Sequence, residues 1–385
     1  MLQIEQYNSF FNIYIYLLLV IPAVILGFLG KKSKLLNIGI SMIMLILLLV
    51  PGSLQLWEFL GFLGYEICII FVYFWISKKY TNKVVYFLMM GLSILPIALV
   101  KIAGRTAYGN IIGFVGISYI GFKAWELLFQ IRDGKIKILS FIDVLGFLTF
   151  GPVFSSGPIA RFDGFCKEYE IKISQKTYWS DYLIPGIKKL ILGMFYKFSV
   201  AFLVNQYFLS TLEIKNVKNT ILYMYGYTFY LFFDFAGYSL MAVGMGYFMG
   251  IRLPDNFNKP FLARNMKEFW ERWHISLSTW FNDYIFSRFV LSNVRNGLFK
   301  NPKKAAKWAY MVTMLVMGFW HGLYLHYILY GLYEGVMLVL TDYWLKSKTF
   351  RRVKKMKYYD LVSRLICFQI MTFGMLLFSG YLMEI

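Results

Sequence analysis

Apolar residues fall in long runs separated by short polar loops, a pattern that predicts membrane-crossing helices along most of the chain. Roughly 20 predominantly apolar residues span the hydrocarbon core of a bilayer. On that measure the runs predict spans over 10–30, 36–52, 57–77, 84–103, 111–131, 183–210, 220–248, 308–326, 328–345 and 359–383. The segment before the first run carries acidic Glu5 and no basic residue, and no small-residue cleavage signal follows. The first run is therefore expected to stay as a helix rather than be removed as a leader.

The loops carry a second pattern. Lys31, Lys32 and Lys34 follow the first run, Lys78, Lys79 and Lys83 the third, and Arg132, Lys135 and Lys137 the fifth. The loop from Pro51 to Trp57 has neither Lys nor Arg. Cytoplasmic loops carry the excess of cations, so the N-terminus is expected outside. The basic segments 252–272, 295–307 and 346–357 then lie in the cytoplasm, and an even count of spans returns the C-terminus to the outside.

Two stretches depart from the spanning pattern. In 138–158 a short apolar piece runs into Gly151-Pro152-Val153-Phe154-Ser155-Ser156-Gly157-Pro158, whose prolines and glycines break a helix. A re-entrant segment lining a cavity and a loop on the cytoplasmic surface both fit it. Over 265–281, positions 270, 273, 274, 277, 280 and 281 form one aromatic face at helical spacing, with charge at 268, 271 and 272. That predicts an amphipathic helix at the membrane interface, with His274 on its buried side.

Composition agrees: 59% of residues are hydrophobic and 16% charged, which excludes a soluble protein. The formal net charge is +20 and 20% of residues are aromatic, a balance also found in nucleic-acid binders. Here the aromatic residues sit inside the apolar runs, so packing and interface anchoring explain them and no nucleic-acid partner is expected. Cys68, Cys166 and Cys367 are far apart and read as small hydrophobes, and no His or Cys spacing matches a metal site. Nucleotide-binding glycine loops and the Gly-x-Ser-x-Gly elbow are absent from the sequence. No internal repeat, linker or low-complexity tract is visible, so one membrane-embedded domain over 1–385 is expected.

The candidate chemistry is concentrated in histidine. There are three, His274, His321 and His326. His321 stands in Met317-Gly318-Phe319-Trp320-His321-Gly322, inside a run from about Ala309 to Leu345. An ionisable group at membrane depth is costly, and imidazole is the side chain best suited to taking and returning a proton near neutral pH. His321 is thus the leading candidate base, while His326, five residues on, is off its helical face. Gly318 and Gly322 beside it permit close helix approach or a narrow passage.

These blocks resemble the membrane-bound O-acyltransferase (MBOAT) superfamily. The matching stretches are Phe232-Phe233-Asp234-Phe235-Ala236-Gly237-Tyr238-Ser239, Asn256-Phe257-Asn258-Lys259-Pro260-Phe261, Phe269-Trp270-Glu271-Arg272-Trp273-His274 and Gly318-Phe319-Trp320-His321-Gly322. Ser156-Gly157-Pro158-Ile159 with Arg161 also resembles a family segment, and the likeness runs from about Gly116 to Glu334, the expected catalytic core. Met317-Gly318-Phe319 before His321 and Tyr330-Gly331-Leu332-Tyr333 after it look more like the branch that works in teichoic-acid D-alanylation. Glu334 departs from the pattern, standing where many relatives would carry a second histidine.

The resemblance implies an all-α polytopic fold, a ring of about 10–11 transmembrane helices with re-entrant and interfacial helices around a central funnel. It implies His321 and His274 as the catalytic pair, with Trp273, Trp320, Ser156, Pro158 and Asp234 lining the tunnel. The implied donor is D-alanine held as a thioester on the phosphopantetheine arm of an acidic cytoplasmic carrier protein, with no tightly bound cofactor and no metal. The implied acceptor is a hydroxyl outside, on lipoteichoic acid or on an extracellular transfer partner that relays the acyl group. Val290 and Leu291 beside Arg295, Lys303 and Lys304 offer such a carrier an apolar ridge and a basic loop, and the same cations also suit contact with membrane lipid. Two other readings stay open: an alginate-type polysaccharide O-acetyltransferase, and a transporter in which His321 relays protons.

Overall fold

The computed structural model describes residues 6–49, 54–80, 82–105, 113–212 and 216–383, and every regular element among them is helical. The chain forms two compact units, residues Met1–Met194 with Gly237–Pro254, and Phe195–Ala236 with Asp255–Ile385.

The first unit opens with α1 (Phe10–Phe28), α2 (Lys34–Leu49), α3 (Leu54–Ser77) and α4 (Lys83–Ala103). Of these, α1, α3 and α4 are long and apolar enough to cross a membrane, while α2 is apolar but shorter. Pro22 and Pro96 lie within α1 and α4, as membrane helices tolerate. Next comes α5 (Ile117–Arg132), which carries buried Lys123 and Glu126. Glu126 accepts from the Phe162 amide at 2.8 Å and from Gln130 Nε2 at 3.0 Å, so its charge is not left bare. The start of the expected span 111–131, the end of 36–52 and part of the loop Pro51 to Trp57 lie outside the described residues.

Residues 138–158 do not form a span. They give the short helix α6 (Phe141–Leu148), a 3₁₀ turn over Gly151–Val153, and a non-helical stretch in which Phe154 and Ile159 are buried. Gln6 clamps this stretch, donating to the Gly151 carbonyl at 2.6 Å and accepting from the Ser155 amide at 3.1 Å. Gly157 adopts φ +100, a conformation that favours glycine, and a Cβ there would also crowd Ala242 at 3.2 Å. The unit continues through α7 (Phe162–Glu170), α8 (Gln175–Tyr178) and α9 (Ile184–Met194).

The expected span 183–210 is refined. Its backbone is helical without a gap to Tyr207, but a first π-helical turn at Trp179–Leu183 precedes α9, and a second at Phe195–Ala201 joins α9 to the short α10 (Phe202–Tyr207). The second turn projects Lys197 onto Asp234, with which it pairs in the second unit. A lysine side chain only 11% exposed needs such a partner.

The 32-residue α11 (Val217–Phe248) serves both units, its residues from Gly237 onward belonging to the first. The second unit then adds α12 (Met266–Trp270), α13 (Ile275–Phe281), α14 (Ser287–Arg295), α15 (Pro302–His321), α16 (Leu325–Lys346), α17 (Lys348–Val353) and α18 (Tyr359–Ser379). Both α11 and α18 are long and apolar enough to cross a membrane, bringing such helices to five among the described residues.

Two further expectations are corrected. The amphipathic helix over 265–281 is two short helices, α12 and α13, broken at Glu271–His274. Its buried face survives the break, since Trp270, Trp273, His274, Leu277, Trp280 and Phe281 are all buried. The runs 308–326 and 328–345 begin and end elsewhere: α15 stops at His321 and α16 starts at Leu325. His321 is therefore the last residue of its helix instead of an interior one.

Sidedness is open to direct test. With the native cysteines replaced, a cysteine at Leu54 is expected to react with an impermeant thiol reagent from outside, and cysteines at Asn82 and Ser347 to stay unlabelled. External labelling at Ser347 would move the C-terminus inside.

Candidate active site

His321 sits at the carboxyl end of α15, where Gly322 takes an extended conformation and the chain turns into α16. The carboxyl end of a helix is the end at which its dipole favours positive charge. Aromatic rings wall the imidazole. Trp320 lies at 4.5 Å between ring centroids, the Phe378 ring at 4.8 Å edge-on, Tyr327 at 5.7 Å stacked and Tyr330 at 6.3 Å edge-on. Tyr327 and Tyr330 come from α16 and Phe378 from α18, so three helices build the wall.

Two glycines bring those helices together. A Cβ on Gly318 would stand 2.5 Å from the Tyr327 carbonyl oxygen, and one on Gly331 would stand 2.5 Å from that of Met314. Backbone meets backbone at this crossing, which fixes Tyr327 and Tyr330 against the His321 turn. Gly318 thus serves helix packing. His326 lies beyond the wall, its ring 4.1 Å from that of Tyr327 and stacked on Tyr324.

His274 occupies a different kind of place. It starts α13 in the left-handed region, φ 44 and ψ 52, which non-glycine residues adopt only where surrounding contacts enforce it. The enforcing segment is Asn256-Phe257-Asn258. The Asn256 carbonyl accepts from the Ile275 amide at 2.9 Å, Asn256 Oδ1 accepts from the Ser276 hydroxyl at 2.6 Å, and the Asn258 amide donates to the Arg272 carbonyl at 2.9 Å. The imidazole is buried, with Phe235 edge-on at 4.7 Å and no hydrogen bond at Nδ1. Burial pushes it down to about 3, so it is neutral at physiological pH.

That shift has a sign that can be checked. A base depressed in the folded state stabilises the fold fully above its unfolded value near 6.5, and the contribution is lost as pH falls toward 3. Between pH 6.5 and 5 the loss is about 1.5 kcal/mol wherever the folded value lies below 5. Detergent unfolding titrations should show this loss in wild type and a shallower one in His274→Gln.

The histidine-bearing segments share α16. Trp270 Nε1 donates to Glu334 Oε2 at 3.1 Å, and Lys267 reaches Asp342 at 2.6 Å, so α12 is tied to α16 at two levels. Glu334 is fully buried, one turn along α16 from Tyr330. Sequence reading gave it no role. In the fold it joins the Trp270 segment to the helix that walls His321.

Of the other expected lining residues, Trp273 stacks on Phe269 at 5.6 Å and meets Phe257 edge-on, and Trp320 flanks His321. Asp234 pairs with Lys197, and the next residue, Phe235, packs on His274. Ser156 and Pro158 belong to the first unit, where the Ser156 hydroxyl lies 3.4 Å from that of Tyr119 and Pro158 is buried. Sequence reading missed a cavity of about 450 Å³ beside α12, lined by Arg264, Lys267, Glu268, Glu271 and Arg272 among others. Burial alone would raise the Glu268 carboxyl, but hydrogen bonds from Arg264 and Arg272 outweigh it and hold the group below its usual range.

At the expected docking ridge, α14 leaves Leu291 70% exposed and Val290 half-buried, with Arg295, Lys303 and Lys304 exposed around them. Asn301 caps α15, accepting from the Lys303 amide at 2.9 Å, so the cations stand at a defined helix start. Among the described residues no cluster of His, Cys, Asp or Glu is placed to hold a metal ion.

Known proteins bear directly on this arrangement. Two teichoic acid D-alanyltransferases align along almost the whole chain. That of Bacillus subtilis is 37% identical over 97% of this chain and 98% of its own, and that of Streptococcus thermophilus is 36% identical over 99% and 96%. A probable alginate O-acetylase of Pseudomonas aeruginosa is 32% identical over 59% of this chain and 42% of its own. The membrane-bound O-acyltransferase family model matches residues 62–383, which takes in both histidine-bearing segments and the helices that wall them. With the family model spanning most of the chain and relatives aligned along almost all of it, the chain belongs to the membrane-bound O-acyltransferase family.

Proposed function

We infer that this protein transfers D-alanine from a carrier-protein thioester in the cytoplasm toward teichoic acid outside. One observation carries the reading. The teichoic acid D-alanyltransferases match end to end, whereas the alginate O-acetylase matches over 59% of this chain. The donor is a D-alanyl thioester on the phosphopantetheine arm of an acidic carrier, and the acceptor is a hydroxyl of lipoteichoic acid or of a partner that relays the group.

In the proposed step His321 takes the proton of the acceptor hydroxyl as its oxygen attacks the thioester carbonyl. The new C–O bond forms, the C–S bond breaks, and the proton returns from the imidazolium to the departing thiolate. A thioester is already activated, so positioning and a base supply most of what the reaction needs. The ring wall from Trp320, Tyr327, Tyr330 and Phe378 keeps the imidazole at a fixed angle. His274, neutral and locked by its backbone, serves as a positioning residue near the donor path. His321 lies about 20 Å along α15 from Trp308, so an arm from the cytoplasm and a hydroxyl from outside would meet deep in the bilayer.

The test is transfer by purified protein in vesicles carrying lipoteichoic acid, supplied with D-alanyl-carrier or acetyl-carrier. Preference for the D-alanyl donor supports the reading, and preference for acetyl would favour the O-acetyltransferase instead.

Carrier docking is tested separately. Leu291→Asp is expected to weaken binding of purified carrier in a pull-down by about tenfold or more, since an apolar contact would bury an unpaired carboxylate. Val290→Asp should act in the same direction with an added stability cost, because Val290 is half-buried. Charge reversal at Lys303 and Lys304 should slow association and lessen its salt dependence. Undiminished binding by folded Leu291→Asp protein would remove this surface from consideration.

A further inference from the structure

The segment between α16 and α18 has a surface that lies outside the proposed reaction step. Over residues 348–357 stand Lys348, Arg351, Arg352, Lys354, Lys355 and Lys357, all exposed, with no acidic residue among them. None of the six has a carboxylate partner among the described residues. The acids at the two ends are already engaged: Asp342 holds Lys267 and Lys346 at 2.6 and 2.5 Å, and Asp360 faces Arg264 at 3.6 Å.

The strap is held in place from below. Ser347 caps α17 by accepting from the Phe350 amide at 2.9 Å, and the Phe350 ring meets Trp344 of α16 at 6.1 Å and Tyr359 of α18 at 6.0 Å. The cations are therefore fixed within a few residues of α16 and of α18, the latter long and apolar enough to cross a membrane. Beside them Tyr343, Trp344, Met356 and Tyr358 remain exposed. Exposed Tyr and Trp at helix ends mark the membrane–water boundary, so the cations stand at headgroup level. Lys307 lies 3.4 Å over the Tyr343 ring, which puts the strap at the same end of the α15–α16 pair as the proposed carrier loop.

We propose that residues 348–357 form a binding strap for the phosphate headgroups of anionic phospholipid. The charge is unopposed, it is confined to headgroup level, and the aromatic residues and Met356 beside it suit the boundary with acyl chains. Lipid held here would brace α16 and α18, which supply Tyr327, Tyr330 and Phe378 to the wall around His321. The surface does not depend on which acyl group the protein transfers.

The test uses full-length protein in detergent, with bound lipid counted by native mass spectrometry after addition of phosphatidylglycerol or phosphatidylcholine. Wild type is expected to retain phosphatidylglycerol in preference to phosphatidylcholine. Each surface cation contributes about fivefold, so R351Q/R352Q/K354Q/K355Q, which removes four, should bind phosphatidylglycerol about 600-fold more weakly. R351K/R352K/K354R/K355R, which keeps the charge, should bind as wild type does. Equal retention of both lipids by wild type, or undiminished phosphatidylglycerol binding by the neutralised protein, would overturn the proposal. So would loss of carrier binding in lipid-free detergent by a neutralised protein that still holds phosphatidylglycerol, which would make the strap a protein-docking surface.

Discussion

His321→Ala is expected to lower acyl transfer at least about a hundredfold while the protein still accumulates in the membrane. In the proposed step one imidazole, at the end of α15 and walled by four rings, moves the proton. Its ring contributes packing, so His321→Gln is the companion variant that keeps polarity and much of the volume. Both should lose transfer, whereas a purely structural histidine would let the glutamine variant recover. Wild-type incorporation by well-expressed His321→Ala protein would refute the assignment.

The second large effect concerns the helix crossing. Gly331→Val would place a branched side chain where even a Cβ comes within 2.5 Å of the Met314 carbonyl oxygen. That atom is backbone and cannot rotate away, so α15 and α16 must move apart, at a cost of about 3 kcal/mol. Gly331→Ala meets the same contact. Thermal unfolding of purified protein should show a clear loss of stability for both, with loss of transfer as the His321 wall opens. Gly64→Ala on α3, where a Cβ would meet nothing within 4 Å, should unfold no earlier than wild type. Equal stability of Gly331→Ala and Gly64→Ala would show that the crossing is looser than described.

Much of this architecture was legible in the residues one at a time. Long apolar runs predicted α1, α3, α4, α11 and α18, because a helix that closes its own hydrogen bonds is what an apolar run of that length forms in lipid. The prolines and glycines of 151–158 predicted the break there, and the rarity of histidine pointed to His321. The aromatic face of 265–281 was read correctly as buried.

Other features were decided by contacts between residues far apart in sequence. The smooth helical spacing of 265–281 hides the break at His274, which exists because Asn256 and Asn258 take the backbone hydrogen bonds a continuous helix would have kept. The turn after His321 follows apolar sequence on both sides, so hydropathy ran the helix past it. Glu334 has meaning only beside Trp270, and Asp234 only beside Lys197. In a membrane chain lipid is as apolar as the core, so the sequence determined which segments are helices and where an ionisable group is isolated. Only the tertiary structure decided which faces meet, because backbone approach at glycines and paired polar groups, not hydrophobicity, select the partners.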